Sequence, residues 1–117
     1  MSKPLLLVDD EPALLELLTK YLERTGYEVE ACLTAEDALA RFEQDPSRYA
    51  LVITDLTLPG IKGDEMIEKM RTRNASLRAI LSSGYPYSPK SKKTAFLQKP
   101  YLPRMLAEMI QKLIGPA

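Results

Sequence analysis

Five short apolar segments alternate with stretches of helical periodicity along this 117-residue chain. The segments are rich in aliphatic residues, as parallel strands covered on both faces tend to be. Strands that alternate with helices form a parallel sheet with right-handed crossovers. We therefore predict an α/β fold with one parallel sheet. The predicted strands comprise residues 5–8, 27–32, 49–54, 78–82 and 95–98.

Helical signals occupy the stretches between these strands. Pro12 and Pro103 suit the first turn of a helix, Thr34 is a predicted N-cap, and Gly26 is a predicted helix end. A further predicted helix follows Gly63. Each predicted helix has one apolar stripe that faces the sheet. The stripes are Leu14, Leu15, Leu18 and Leu22; Ala38, Leu39 and Phe42; Met66, Ile67 and Met70; and Leu106, Met109, Ile110 and Leu113.

Composition excludes several classes of function. Sixteen basic and sixteen acidic residues cancel, so no net charge draws the chain to nucleic acid or to an anionic membrane. The chain has no histidine, which excludes Ser-His and Cys-His catalysis and most catalytic zinc sites. The first apolar run is too short for a signal peptide or a membrane span. We expect one soluble, cytoplasmic domain over residues 1–117, without a nucleic-acid or membrane contact.

The single cysteine, Cys32, lies in an apolar stretch and has no partner for an internal disulfide. A chain without disulfides suits a reducing compartment. We predict that Cys32 is a small core residue, with a reactive thiol as the alternative.

Polar side chains follow the predicted strands at their carboxyl ends, the edge where open parallel sheets bind ligands. Three carboxylates at one edge repel one another unless a cation lies between them. Oxygen ligands without nitrogen or sulfur favour Mg²⁺, which also binds phosphate. The pattern therefore predicts a magnesium site for phosphoryl chemistry, although any one of these residues alone is compatible with a turn or a cap. The residues are Asp9, Asp10, Asp55, Ser82, Ser83 and Lys99.

The same motifs resemble the receiver domain of two-component response regulators, including receivers fused to hybrid histidine kinases. The motifs are VDDE, TDLTLPG with Gly63 after it, SSGY and FLQKPY, in the order of the family. The resemblance implies a flavodoxin-like, doubly wound sheet of five parallel strands in the order 2-1-3-4-5. It also implies a phosphorelay switch, not an enzyme, whose partner is a histidine kinase or a phosphotransfer domain.

By this resemblance, Asp55 accepts a phosphoryl group from a phosphohistidine of the partner. Mg²⁺ is held by Asp10, by Asp55 and by the backbone carbonyl of Thr57, and Asp9 acts through a metal-bound water. Capping of the first helix is the alternative role for Asp9.

Lys99 and the Ser83 hydroxyl contact phosphoryl oxygens in this scheme. Ser83 and Phe96 are the implied switch residues, and a plain core role for Phe96 is equally compatible with the sequence. The Lys99-Pro100 peptide resembles one that is cis in the family, whereas trans is the default for a peptide bond before proline.

One segment departs from the family pattern. The fifteen residues 84–98 have two prolines and almost no helical periodicity, where the family has a fourth helix between strands four and five. We predict that this helix is shortened or absent and that residues 85–94 form a mobile, basic loop. Lys90, Lys92 and Lys93 suit an acidic partner, although solvated lysines are the commoner case.

Two other functions suit parts of the pattern. Haloacid-dehalogenase-type phosphohydrolases also use an aspartate nucleophile with Mg²⁺, but they need a second acid two residues later, where this chain has Thr57. The other alternative is a receiver-like interaction module that is not phosphorylated. Its binding to partners does not require Mg²⁺.

Overall fold

All five predicted strands are present in the computed structural model, which describes residues 3–117. They form one parallel sheet in the order β2-β1-β3-β4-β5, which confirms the predicted fold class and strand order. The elements are β1 (Leu5–Val8), α1 (Pro12–Arg24), β2 (Val29–Cys32), α2 (Ala35–Gln44), β3 (Leu51–Asp55), α3 (Gly63–Arg71), β4 (Ala79–Ser83), β5 (Thr94–Gln98) and α4 (Pro103–Ile114).

The sheet has an apolar core on each face because successive side chains of a strand point to opposite sides. In β1, Leu6 belongs to the core under α2 and α3, and Leu7 belongs to the core under α1 and α4. All four residues of β1 are buried, as expected for a central parallel strand. Cys32 is buried in the core under α2 and α3, which confirms it as a core residue. Burial also raises the pKa of its thiol to about 12.

The second strand begins at Val29, two residues later than predicted, because Tyr27 takes part in the turn that ends α1. Gly26 has a positive φ of 102°, its amide donates to Glu23, and the Tyr27 amide donates to Leu22. These two bonds form a Schellman motif, which ends the helix. The bounds of β1 are those predicted, the boundaries of β3, β4 and β5 differ from the prediction by at most two residues, and β4 extends through Ser83.

The segment between β4 and β5 contains no helix, which confirms the predicted loss of the fourth helix of the family. Residues 84–93, which we call the β4–β5 loop, are nevertheless fastened to the domain. The Tyr87 hydroxyl donates to Asp64 of α3 at 3.1 Å, and the Lys93 amine donates to the Ala75 carbonyl at 2.6 Å. A loop that contacts α3 therefore stands where the family has its fourth helix.

No helix within residues 3–117 has the length and apolar character that crossing a membrane requires.

Candidate functional site

The predicted site residues meet at the carboxyl edge of the sheet because backbone hydrogen bonds set their register. Asp55 is the last residue of β3 and lies opposite Ser82 of β4. The next amide, that of Leu56, donates to the Ser82 carbonyl at 2.7 Å, and the Lys99 amide donates to the Ser83 carbonyl at 2.8 Å. The loops that follow β3, β4 and β5 are therefore held side by side.

Three carboxylates lie close enough to share one cation. Oxygen atoms of Asp9, Asp10 and Asp55 all lie within 4.8 Å of one another. Asp9 and Asp55 are buried, with 3% and 8% of their surface exposed, whereas Asp10 is exposed to solvent. Carboxylate oxygens with an open, solvent-facing side fit the preference of Mg²⁺ for hard ligands and retained waters. The donor set therefore fits the predicted metal.

Lys99 provides positive charge at the same place. Its amine lies 2.8 Å from Asp55 Oδ1 and 3.6 Å from Asp9 Oδ2. Glu11, which sequence reasoning left outside the site, is 4.0 Å from the same amine. The Lys99-Pro100 peptide is cis, as in the family and unlike the default for a peptide bond before proline.

In the metal-free protein, the surroundings of Asp55 make its carboxylate bind a proton more tightly than an ordinary aspartate does. Burial raises the pKa of Asp55 to about 6, the bond from Lys99 opposes this shift, and the charge of Asp9 adds to it. Burial alone would lower the pKa of Lys99, but the hydrogen bond with Asp55 and the charges of both aspartates outweigh it and raise that pKa. The site therefore carries an excess of negative charge that a divalent cation would relieve.

Most of the predicted site residues line one cleft. Its lining includes Asp10, Asp55, Thr57, Ser83 and Lys99, together with Glu11, Ser82 and Gly84.

Asp9 lies behind this cleft, where its Oδ1 accepts the Glu11 amide at 2.9 Å. The alternative role for Asp9 as the cap of α1 is wrong, because Glu11 is the N-cap residue. Ser83 lines the cleft, and its hydroxyl accepts the Tyr85 amide at 3.1 Å.

Phe96 lies away from the cleft. It is half-buried against the core under α2 and α3. It also packs on Tyr87, with ring centroids 6.1 Å apart and ring planes tilted by 53°. This contact joins the predicted switch residue to the β4–β5 loop. The structure supports a core contact for Phe96 and leaves its switching role a prediction.

Sequence reasoning missed the physical role of Gly63. Its φ is not positive, so a left-handed backbone conformation is not the reason for glycine at this position. A Cβ at this position would lie 2.0 Å from the carbonyl oxygen of Asp55, because the loop after β3 folds back and the Gly63 amide bonds the Leu56 carbonyl. Glycine here permits a close approach of the backbone to Asp55.

Tyr85 is a second residue that sequence reasoning did not place at the site. Its hydroxyl lies 3.4 Å from that of Thr57, across the mouth of the cleft, and the side chain is 52% exposed. No local pattern signals this contact, since the two residues are 28 positions apart.

Known proteins with the same arrangement are numerous. A family model described as the response regulator receiver domain matches residues 5–111. Transcriptional regulatory protein CssR of Bacillus subtilis is 32% identical over 97% of this chain and 52% of its own length. Sensor kinase CckA of Brucella abortus is 26% identical over 97% of this chain and 13% of its own length. The chain thus spans about half or less of these curated relatives.

Solved structures agree with these matches. The receiver domain of the hybrid histidine kinase CckA superposes with a TM-score of 0.86 and 30% identity, covering 95% of this chain and 98% of that one. Response regulator TrrA of Thermotoga maritima, solved in complex with Mg²⁺-BeF, gives a TM-score of 0.80 and 32% identity, with 95% and 98% coverage. With the family model matched over most of its length, this chain belongs to the response regulator receiver domain family.

Proposed function

We propose that this domain accepts a phosphoryl group on Asp55 from the phosphohistidine of a histidine kinase or a phosphotransfer domain, in a Mg²⁺-dependent reaction. The observation that carries this proposal is the environment of the Asp55 carboxylate. It ends a buried strand at an open cleft, 2.8 Å from the Lys99 amine and beside two further aspartates. A capping or turn residue needs none of these neighbours.

The transfer is a displacement at phosphorus. A carboxylate oxygen of Asp55 attacks the phosphoryl group, the P–N bond to the partner's imidazole breaks, and an acyl phosphate P–O bond forms. Asp10, Asp55 and the Thr57 carbonyl would hold Mg²⁺, with Asp9 acting through water. When bound, the ion supplies positive charge between the carboxylates and the phosphoryl oxygens.

Lys99 and Ser83 contact the oxygen atoms of the transferred phosphoryl group. The Lys99 amine, already paired with Asp55, neutralises one phosphoryl oxygen, and the Ser83 hydroxyl donates to another. Because the Ser83 hydroxyl now accepts the Tyr85 amide, a change in its orientation disturbs the start of the β4–β5 loop. That loop packs on Phe96 through Tyr87, which gives the site a route to the edge of the sheet.

A second candidate is a docking module that is never phosphorylated. The observation in its favour is the absence of a helix between β4 and β5, because this alters the face through which the family signals. Neither candidate is a phosphohydrolase, since Thr57 stands where that class of enzyme needs a second acid. A cytoplasmic location stays a prediction from the sequence.

Intact-mass measurement after incubation with acetyl phosphate tests the proposal, with and without Mg²⁺. We expect a phosphoryl adduct that requires Mg²⁺ and is lost in Asp55→Ala. Asp45→Ala, at an exposed position outside the cleft, is the control and keeps the adduct. A folded, Mg²⁺-binding wild type that gains no adduct from acetyl phosphate or from a phosphohistidine donor would favour the docking module.

A further inference from the structure

Ser82 carries a hydroxyl that the proposed mechanism does not use. The residue is 2% exposed, and its Oγ is one of two buried side-chain polar atoms without a hydrogen-bond partner among residues 3–117. Ser82 also belongs to the lining of the cleft that contains Asp55. A buried hydroxyl without a partner is unfavourable, so such a group next to a reactive carboxylate indicates a ligand that completes it.

The sheet geometry places this hydroxyl beside Asp55. Asp55 and Ser82 are register partners on adjacent parallel strands, which lie about 4.8 Å apart. Two residues earlier in each strand, Ile53 and Ile80 both face the core under α1 and α4. Because side chains alternate, Asp55 and Ser82 also share that face, whereas Ser83 follows Leu81 on the other face.

We propose that Ser82 is a second hydroxyl donor to phosphorylated Asp55, acting from the face of the sheet that packs against α1 and α4, while Ser83 acts from the opposite face. This inference rests on the proposed phosphorylation of Asp55. Phosphorylation turns the carboxylate into an acyl group and adds three phosphoryl oxygens, so new acceptors appear next to the Ser82 hydroxyl. Ser82 forms and breaks no covalent bond, and it is a positioning residue for the phosphorylated state.

Tyr101 is the competing partner for this hydroxyl. Its ring packs in the core under α1 and α4, and burial raises the pKa of its phenol while the nearby Ser82 hydroxyl and Lys99 oppose that shift. The two hydroxyls are thus neighbours, but they do not form a hydrogen bond, and the Ser82 hydroxyl has no partner. A role for Ser82 in holding Tyr101 is the alternative that an experiment must separate.

Beryllofluoride with Mg²⁺, a mimic of the acyl phosphate, is the probe for this role. We expect Ser82→Ala to bind beryllofluoride about tenfold to a hundredfold more weakly, the loss that follows from removing a hydrogen bond to a charged group. Its affinity for Mg²⁺ alone should equal that of wild type, because Ser82 is not a metal ligand. Its melting temperature without ligands should be equal or higher, because the substitution removes an unpartnered buried hydroxyl.

Tyr101→Phe is the matched control, and we expect it to keep wild-type affinity for beryllofluoride. The inference is overturned if Ser82→Ala binds beryllofluoride as wild type does, or if Tyr101→Phe reproduces its loss. A wild type that binds Mg²⁺ but neither beryllofluoride nor a phosphoryl group overturns the proposed function itself. Reduced Mg²⁺ affinity in Ser82→Ala would instead assign the effect to a disturbed metal site and overturn the inference.

Discussion

At the scale of single residues, the cleft combines groups that are unfavourable in a buried place. A strand that ends on a carboxylate loses part of the hydration of that charge, and in Asp55 burial is the largest cause of the raised pKa. Lys99 offsets this penalty in part, at 2.8 Å, while Asp9 adds to it. The metal-free site is therefore a local source of instability, as expected where electrostatics serve chemistry.

Asp55→Asn should stabilise the metal-free protein at neutral pH. The folded pKa of about 6 lies above the ordinary value of 3.8, so the folded state binds the proton more tightly than the unfolded state. The stability from protonated Asp55 is thus present below about pH 4 and is lost as the pH rises through 6. We expect a gain on the order of 1–3 kcal/mol at pH 7, measured by urea unfolding in EDTA.

The pH dependence provides the sharper criterion. The difference between Asp55→Asn and wild type should grow from pH 4 to pH 6 and stay constant above it. Asp45→Asn, which alters an exposed carboxylate outside the cleft, is the control and should follow wild type. Parallel stability curves for Asp55→Asn and wild type over this range would contradict the proposed charge excess.

At the scale of elements, the β4–β5 loop replaces a helix by a few specific contacts. Tyr87 provides two of them, a hydrogen bond to Asp64 of α3 and a ring contact with Phe96 of β5. A loop without repeating backbone hydrogen bonds depends on such side chains, and its local stability is lower than that of the strands. The mobility that the sequence predicted for this loop therefore depends on whether Tyr87 keeps these two contacts.

Tyr87→Ala should release the β4–β5 loop without unfolding the sheet. We expect faster hydrogen exchange in residues 84–93, by about fivefold to a hundredfold, since a net hydrogen bond and an aromatic contact each contribute roughly 0.5–1.5 kcal/mol. Mass-spectrometric hydrogen exchange measures this, with exchange in β1 as an internal reference. Tyr85→Ala, at a half-exposed position in the same loop, is the control. Equal loop exchange in both variants would show that Tyr87 does not fasten the loop.

At the scale of the whole molecule, acidic and basic residues are unevenly distributed along the chain, although its net charge is zero. Residues 1–60 contain twelve acidic and five basic side chains, whereas residues 61–117 contain four acidic and eleven basic ones. The cleft lies where the two halves meet, because Asp9, Asp10 and Asp55 come from the first half and Lys99 comes from the second. The site thus exists only when β1, β3 and β5 are folded together. A ligand that binds there therefore stabilises the folded chain as a whole.

Mg²⁺ should raise the melting temperature for this reason. At a concentration about a hundredfold above its dissociation constant, a ligand that binds only the folded state adds about 2.7 kcal/mol. For a domain of this size that corresponds to a rise of roughly 10 °C, measured by differential scanning calorimetry. EDTA should reverse the rise, and Asp10→Ala should reduce it strongly. A melting temperature that ignores Mg²⁺, or that responds equally in Asp10→Ala, would contradict the metal site.

The parts of this protein that the sequence predicted well depend on neighbours along the chain. Apolar periodicity indicates a strand or a helix because residues two, three or four positions apart share a face. For the same reason Thr34 was recognisable as an N-cap, and its hydroxyl accepts the Asp37 amide at 3.1 Å. The strand order and the roles of Asp10, Asp55 and Lys99 came from resemblance to a family, and the structure brings those side chains into one cleft.

By itself, then, the sequence determined the alternating elements, the two apolar faces of the sheet and the set of oxygen-bearing side chains at its carboxyl edge. The tertiary structure decided the close approach of Gly63 to the Asp55 carbonyl and the contact by which Tyr87 fastens the β4–β5 loop. It also left the buried Ser82 hydroxyl without a hydrogen-bond partner. These features join residues that are distant in the chain, and their energies depend on burial and on distances of a few ångströms. Patterns among neighbouring residues in the sequence contain no information about burial or about these distances.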